Sequence, residues 1–339
     1  MKVGLVGVGR IGALHAGTLG DLPGIDTVLV ADADPGRAKV CADRFGLTPA
    51  GSIDDLFAAR PDGVVIAAPT AAHAELVGRA ARAGVAVFCE KPLAPDAAGT
   101  RAVLAEVEAA GVPLQVGFQR RFDPGYQAAR ERLRSGELGR LYSVWACTLD
   151  PAPPPAAYLP TSGGIFRDCG VHDFDAVRWV TGAEVVEVHA TGANRGADFF
   201  AAAGDVDTGH ALLTLDDGTL VSVAVSRYNG AGYDVRLELH GSLGTAVAGL
   251  DHRAPLTSTE PAEPAEPGTH QTDTPAYANF AERFAAAYVA ELAAFADVAA
   301  GRIPSPCGGA DALEAFHVAD AAELSRRENR PVRIEEVRR

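Results

Sequence analysis

The sequence of 339 residues lacks a surplus of positive charge and a long apolar run. Lysine and arginine number 30 against 44 aspartate and glutamate residues, which gives a formal net charge of −14. Because no basic field would gather phosphate backbones or anionic lipid, we expect neither nucleic acid nor a membrane surface as a partner. No apolar stretch reaches the roughly 18 residues that a membrane helix needs.

Cysteine is scarce and scattered. The chain has 5 cysteines and no Cys-x-x-Cys pair, so the sequence predicts neither a disulfide framework nor a zinc site, and we expect no metal. The N-terminal residues turn glycine-rich too early for the apolar core of a signal peptide. These features favour a cytoplasmic protein whose cysteines are buried thiols.

Aromatic residues are also few, at 6% against an apolar share of 47%. An interior built mostly from alanine, valine, leucine and isoleucine suits helices packed on a sheet. The length fits two domains of roughly 100 to 200 residues each.

The first third of the chain alternates short β-branched runs with alanine-rich stretches, which is typical of βαβ units around a parallel sheet. Strands are predicted at residues 2–6, 27–31, 63–67, 86–89 and 114–117. Further on, consecutive alternating runs without intervening helices predict a mostly antiparallel sheet. We therefore expect an α/β fold with a dinucleotide-binding domain at 1–118 and a substrate-binding and oligomerisation domain at 119–339. The proline-rich residues 251–275 predict a long exposed loop.

A glycine motif follows the first predicted strand and opens a predicted helix. Gly7, Gly9 and Gly12 have the spacing Gly-x-Gly-x-x-Gly, with Arg10 and Ile11 inside it. This context predicts a tight turn, close backbone approach to a pyrophosphate, and close helix packing.

An acidic residue ends the second predicted strand, as dinucleotide binding requires. Asp32 lies 20 residues after Gly12, where it can accept hydrogen bonds from ribose hydroxyls and would repel a 2′-phosphate. The sequence therefore predicts NAD as the cofactor, while Arg37 keeps NADP open.

Two further segments carry candidate chemistry. Lys91 follows the fourth predicted strand, at the carboxyl edge where such sheets bind ligands, although a single lysine is more often a solvated charge. Asp168, His172 and Asp175 have i, i+4 and i+7 spacing, so on a helix they share one face. A carboxylate one turn from an imidazole makes a general base, and the alternative is a pair that only locks the helix in place.

These residues together resemble the Gfo/Idh/MocA oxidoreductase family. The resemblance rests on the glycine motif, on Glu90-Lys91-Pro92, and on Gly163-Gly164 leading to Asp168 and His172, and it runs nearly end to end. Residues 150–155, 232–236 and 280–300 are most similar to the inositol 2-dehydrogenases of that family. The resemblance implies a Rossmann domain, a C-terminal α/β domain with a large open sheet, and a homotetramer assembled through those sheets.

The resemblance also implies a reaction and a role for each matched residue. Lys91 would hydrogen-bond the reacting hydroxyl, His172 would accept its proton, and Asp168 would orient His172, while myo-inositol becomes scyllo-inosose. Residues lining the cofactor would also include Pro69, Thr70, His73, Glu90 and Lys91. Residues facing the polyol would be Gln119, Arg120, Asp175 and Tyr233.

The same resemblance makes Lys91-Pro92 a candidate for a cis peptide bond. The chain departs from the family pattern at Leu149, where a basic residue is expected before Asp150, and in the Glu-Pro segment 260–267. Two alternatives stay open. One is another sugar dehydrogenase or an NAD-using glycosidase of the family. The other is a non-catalytic nucleotide-sensing protein, which would need neither Lys91 nor His172.

Overall fold

The computed structural model describes residues 1–256, 259 and 274–338. Its contacts divide the chain into two compact units. The first unit contains Met1–Asp123 and Ala285–His317, and the second contains Pro124–Phe284 and Val318–Arg339. Most of the loop predicted at residues 251–275 lies outside the described residues.

The sheet of the first unit has six parallel strands in the order β3-β2-β1-β4-β5-β6. Its strands are β1 (Lys2–Val6), β2 (Thr27–Ala31), β3 (Thr48–Pro49), β4 (Gly63–Ile66), β5 (Ala86–Glu90) and β6 (Leu114–Gly117). This is the strand order of a Rossmann fold, which confirms the predicted fold class. The sequence analysis missed β3, because two residues that include a proline leave no strand pattern.

The second unit has a sheet of seven strands in the order β12-β11-β7-β10-β9-β8-β13. Its strands are β7 (Leu141–Leu149), β8 (Val185–Ala193), β9 (Thr208–Leu215), β10 (Leu220–Ser226), β11 (Asp234–Gly241), β12 (Thr245–Ala248) and β13 (Val332–Arg333). All neighbours pair antiparallel except β7 and β10, which pair parallel. The prediction of a mostly antiparallel sheet is confirmed.

Helices cover most of the remaining described chain. The α-helices are α1 (Arg10–Asp21), α2 (Pro35–Phe45), α3 (Ile53–Ala58), α4 (Thr70–Arg82), α5 (Ala97–Ala110), α6 (Pro124–Arg134), α7 (Leu159–Ser162), α8 (Val171–Thr181), α9 (Phe199–Ala202), α10 (Phe280–Arg283), α11 (Ala285–Ala299), α12 (Gly309–Glu328) and α13 (Ile334–Val337). Short 3₁₀ helices lie at Gln119–Phe122 and Ala156–Tyr158, and a π-helical turn lies at Phe166–Gly170.

Helix α11 contributes to the core of the first unit. Leu292 and Phe295 are fully buried there, and the ring of Phe295 lies 5.8 Å from that of Phe88 on β5. The N-terminal stretch of the first unit runs to Asp123, and the unit also includes Ala285–His317. Position in the chain could not indicate this, because the packing of α11 depends on contacts with residues about 200 positions earlier.

Other predictions about the chain concern its cysteines and its helices. All five cysteines are free thiols and all are buried. No helix within the described residues is both long enough and apolar enough to cross a membrane. In the same part of the chain, no group of three or more histidine, cysteine, aspartate or glutamate side chains could hold a metal ion.

Candidate active site

The glycine motif forms the turn between β1 and α1, called here the glycine loop (residues 7–12). Gly7 has φ +93°, and its N–H donates to the carbonyl oxygen of Ala31 over 2.9 Å. A Cβ at Gly7 would lie 2.6 Å from the backbone nitrogen of Ala68, and a Cβ at Gly12 would collide with the carbonyl oxygen of Gly7. At Gly9 a Cβ would meet nothing within 4 Å.

This asymmetry is what a pyrophosphate site requires. Gly7 and Gly12 are glycines because the backbone is packed against itself, whereas Gly9 borders open space at the N-terminus of α1, where backbone N–H groups attract a phosphate. Arg10 and Ile11 form the first turn of α1, and Arg10 is exposed. The loop therefore fits a dinucleotide.

Asp32 directly follows β2 and braces the glycine loop. Its Oδ2 accepts a hydrogen bond from the N–H of Val8 over 2.9 Å, and its Oδ1 accepts one from the N–H of Asp34 over 3.0 Å. From the sequence, Asp32 was expected to contact the ribose alone, and its hydrogen bond to the N–H of Val8 was not predicted. Arg37 lies exposed in the first turn of α2, where its N–H donates to the side chain of Asp34.

The start of α4 holds three more of the residues expected at the cofactor. Pro69 is its N-cap and Thr70 its first residue. His73 is 1% exposed, with Nδ1 2.7 Å from the carbonyl oxygen of Pro92 and Nε2 2.8 Å from that of Ala68. Both ring nitrogens therefore face carbonyl oxygens, which accept hydrogen bonds. His73 thus ties the end of β4 to the Glu90-Lys91-Pro92 segment.

Glu90 is the last residue of β5. The peptide bond between Lys91 and Pro92 is cis, as expected. Glu90 Oε1 lies 2.7 Å from Nε2 of His15, which is fully buried on α1 between the rings of Phe88 and Tyr288. Lys91 is half-buried. Buried histidines therefore contact both neighbours of Lys91, His15 at the side chain of Glu90 and His73 at the carbonyl oxygen of Pro92. Sequence reasoning gave no role to His15.

A second carboxyl group, Glu291 on α11, lies near Glu90. It is fully buried, and neither of its carboxylate oxygens has a hydrogen-bond partner among the described residues. Burial, together with the negative charge of Glu90, raises the pKa of Glu291 well above its ordinary value. Both effects favour the neutral carboxylic acid form of Glu291. The available signal was a glutamate at the centre of a helix in which Asp297 is the other charged residue.

The second unit contains the predicted acid–base segment. Asp168 lies in the π-helical turn Phe166–Gly170, and His172 lies half-buried in the first turn of α8. The segment is helical, as predicted, but a change from π to α winding between Asp168 and His172 breaks the regular i, i+4 face. Such π turns occur frequently at functional sites.

The Asp168 carboxylate is held from two sides. Its Oδ1 accepts a hydrogen bond from the hydroxyl of Tyr158 over 2.9 Å, and its Oδ2 accepts one from Arg227 over 2.7 Å. The next aspartate, Asp173, accepts a hydrogen bond from Thr148 on β7 over 2.6 Å. Neither Tyr158 nor Arg227 was selected from the sequence, since nothing nearby in the chain marks them.

The residues expected to face a polyol lie in both units. Gln119 and Arg120 form the 3₁₀ helix after β6 in the first unit and are 4% and 2% exposed. In the second unit, Asp175 is fully buried on α8, and Tyr233 precedes β11 and is 5% exposed. The backbone N–H of Tyr233 donates to the carbonyl oxygen of Tyr277 over 2.9 Å.

Comparisons with family models match both units. Residues 1–118 match a model described as an oxidoreductase family with an NAD-binding Rossmann fold. Residues 126–247 match the GFO/IDH/MocA C-terminal domain.

Individual proteins match over nearly the whole chain. A myo-inositol dehydrogenase, Hyg17, from Streptomyces leeuwenhoekii is 40% identical over 96% of this chain and 97% of its own length. An inositol 2-dehydrogenase from Rhizobium meliloti is 39% identical over 98% of this chain and 99% of its own. The crystal structure of scyllo-inositol dehydrogenase from Lactobacillus casei, with bound NAD(H) and scyllo-inositol, is similar with a TM-score of 0.85, 28% identity and 99% coverage of both chains. The chain therefore belongs to the Gfo/Idh/MocA family of oxidoreductases and uses NAD as its cofactor.

Proposed function

We propose that this protein oxidises a secondary hydroxyl of a cyclitol with NAD, and that its main reaction converts myo-inositol to scyllo-inosose. The observation that carries the proposal is the match, at 39 to 40% identity over nearly the full length, to proteins named for that activity. The π turn and α8, with Asp168 and His172 four residues apart, supply the acid–base chemistry.

The cofactor is held by the first unit in this proposal. The glycine loop carries the pyrophosphate, Asp32 accepts hydrogen bonds from the ribose, and the start of α4 and the Glu90-Lys91 segment line the remainder. When bound, NAD accepts the hydride that leaves the substrate carbon. The half-exposed Asp32 carboxylate supports NAD over NADP, since a 2′-phosphate beside it would be repelled.

The chain itself handles the hydroxyl proton. Lys91 donates a hydrogen bond to the reacting oxygen and stabilises the alkoxide that develops on it. His172 accepts the proton, and Asp168 orients the imidazole and stabilises its charged form. The carbon loses a hydride and its oxygen loses a proton, so the product is a ketone. Gln119, Arg120, Asp175 and Tyr233 orient the remaining hydroxyls.

A substrate panel tests this function. Purified protein with NAD is offered cyclitols and sugars while NADH absorbance is followed, with NADP in a parallel series. We expect saturable NADH formation with myo-inositol, weaker turnover of other inositols, and little activity with NADP. Turnover of a sugar but of no inositol would favour another dehydrogenase of the family, and tight NAD binding without any turnover would favour a nucleotide sensor.

We also propose that the protein is a homotetramer assembled through the sheets of its second units. The face of this sheet opposite α8 exposes apolar side chains on neighbouring strands: Trp145 (56% exposed), Leu212 (59%) and Leu220 (59%). In the strand register, Trp145 pairs with Ser222, which pairs with Leu212, so these side chains share one face. Such a face favours burial against a second copy.

Light scattering during gel filtration tests this assembly. We expect the mass of four chains for the wild type and a smaller assembly for Trp145→Glu, with Leu220→Glu weaker. A wild-type mass of one chain would contradict the proposal. The buried free thiols support a reducing, cytoplasmic location.

A further inference from the structure

Arg227 follows β10 in the second unit, beside the end of β7. The two strands are parallel neighbours, with Leu149 opposite Ser226, and the N–H of Asp150 donates to the carbonyl oxygen of Ser226 over 2.8 Å. Asp150 and Arg227 therefore leave the sheet side by side. The family resemblance leads one to expect a basic residue at position 149, but this chain has Leu149 there. The cation that contacts Asp150 is instead Arg227, which follows the neighbouring strand.

The guanidinium of Arg227 joins two carboxylates. Its Nη1 donates to Oδ2 of Asp150 over 3.2 Å, and its Nη2 donates to Oδ2 of Asp168 over 2.7 Å. Arg227 is only 4% exposed. We call these three residues the Arg227 bridge. A buried guanidinium between two carboxylates holds both in a fixed geometry through charge-assisted hydrogen bonds, and losing it would leave Asp150 and Asp168 without this cation.

Arg227 offsets part of the negative charge inside the bridge. Burial raises the pKa of Asp150, and Arg227 opposes that rise. Burial disfavours the charge on Arg227 itself, but Cys169, Asp168 and Asp150 outweigh it, so the pKa of Arg227 lies above its ordinary value. The bridge thus carries two carboxylates and one cation. One of the carboxylates, that of Asp168, lies four residues before His172.

We propose that Arg227 is a positioning residue for the dehydrogenase reaction: it fixes the Asp168 carboxylate beside the turn that carries His172, and its charge sets the pH range in which His172 acts as a base. This inference rests on the proposed function. The bridge also ties the segment between β7 and the π turn to the sheet, because Asp150 and Asp168 stand at its two ends.

The direction of the charge effect follows from the groups around Arg227. These are Asp150 after β7, Tyr158 in the 3₁₀ helix, Asp168 and Cys169 in the π turn, and Asp205 before β9. The three aspartates supply the negative charge, and the positive charge of Arg227 acts on each of them. Removing it leaves a more negative field, which stabilises the imidazolium form of His172 and raises its pKa. Removing Asp150 has the opposite effect.

The test compares four variants by two readouts. Arg227→Met removes the cation, and Arg227→Lys keeps the charge but cannot bond both carboxylates through two guanidinium nitrogens. Tyr158→Phe removes the neutral partner of Asp168, and Asp150→Asn removes a negative charge. The acid limb of kcat/KM against pH is measured with myo-inositol and NAD. The pKa of the His172 imidazole is measured by NMR, with His172→Gln assigning the signal.

We expect Arg227→Met to raise the acid limb and the imidazole pKa by roughly half to one unit and to lower kcat at least tenfold. Asp150→Asn should lower both pKa readouts, and Arg227→Lys and Tyr158→Phe should leave them within about 0.3 unit of the wild type. An unmoved imidazole pKa in folded Arg227→Met, or an upward shift in Asp150→Asn, would overturn the inference. If Arg227→Met fails to fold, Asp150→Asn decides alone.

The outcome is separable from that of the proposed function. The NMR readout needs no turnover, so it reports on the bridge even if no polyol is oxidised. If His172→Gln keeps normal turnover, the assignment of His172 as the base fails whatever Arg227 does. If His172→Gln is inactive while Arg227→Met has an unmoved acid limb and imidazole pKa, only the role of Arg227 fails.

Discussion

The glycine loop and the Arg227 bridge both hold polar groups in fixed positions, but they are built in two different ways. The loop is built from backbone within six consecutive residues and is braced by the Asp32 carboxylate. The bridge is built from charged side chains at positions 150, 168 and 227, brought together by strand pairing. A site made of contiguous backbone can be predicted from a sequence, whereas one made of side chains that are distant in the chain cannot.

The two sites also differ in what a mutation removes. At Gly7 and Gly12 of the loop, an added atom meets backbone, so stability should respond. In the second unit, a truncated side chain removes charge or a proton acceptor, so activity should respond first. Measuring both the free energy of unfolding and the activity of each variant separates these two kinds of response.

The largest expected effect concerns Lys91. Lys91→Met removes the cation that stabilises the developing alkoxide, so kcat should fall about 10² to 10³-fold while NAD still binds. Steady-state kinetics and NAD fluorescence titration measure the two quantities. Lys39→Met is the matched control, because Lys39 is 67% exposed and pairs with Asp43 on the surface of α2. A normal kcat in Lys91→Met would remove Lys91 from the mechanism.

Two alanine variants of the loop should behave in opposite ways. Gly12→Ala forces its Cβ against the carbonyl oxygen of Gly7, so we expect the free energy of unfolding to fall by about 2 to 4 kcal/mol. Gly9→Ala has open space and an ordinary φ of −64°, so stability should change by less than about 1 kcal/mol. NAD affinity should nonetheless fall about tenfold in Gly9→Ala, because the methyl group enters the pyrophosphate space.

Urea unfolding and NAD titration of both variants decide this point. Equal stability losses would show that the loop does not distinguish its glycines. Unchanged NAD affinity in Gly9→Ala would place the pyrophosphate elsewhere.

Asp32 connects the backbone site to side-chain chemistry. Asp32→Ala should weaken NAD about 10- to 100-fold, since a hydrogen bond to a charged group contributes about 1.5 to 3 kcal/mol, and should reduce the preference for NAD over NADP. Asp34→Ala is the control, because that side chain caps α2 through the N–H groups of Gly36 and Arg37. It should lower stability by about 1 kcal/mol and leave NAD affinity unchanged. An Asp32→Ala protein with wild-type affinity would refute the ribose contact.

The smallest effect concerns Glu291. Its raised pKa means that the unfolded chain releases this proton at lower pH than the folded chain does. Above the ordinary glutamate pKa the unfolded state is therefore favoured increasingly as pH rises. Glu291→Gln cannot ionise at this side chain. Its free energy of unfolding should therefore match that of the wild type near pH 4 and exceed it by about 1 kcal/mol or more near pH 8. Thermal melts across this range would contradict the account if the two curves stayed parallel.

Much of the fold could be predicted from the sequence because its signals are local. Five of the six strands of the first sheet follow from apolar runs, and the residues Gly7 to Gly12 with Asp32 identify the nucleotide-binding turn. The elements that escaped prediction depend on distant partners. The parallel pairing of β7 with β10, the packing of α11 in the first unit, and the pairing of His15 with Glu90 join residues about 75 or more positions apart.

The candidate site shows the same division. The sequence indicates Asp168 and His172 by their spacing, but the π turn between them is a detail of winding that spacing cannot encode. Arg227 and Tyr158 carry no motif of their own. Their contacts with Asp168 arise only after β10 and the 3₁₀ helix have packed.

The central claim, that the second unit supplies the base while the first unit holds the cofactor, is tested most directly by His172→Ala. NADH formation from myo-inositol and the NAD dissociation constant are measured on the same preparation. We predict that kcat falls by about 10² to 10⁴-fold while NAD affinity stays within about twofold of the wild type. Turnover close to that of the wild type would contradict the account.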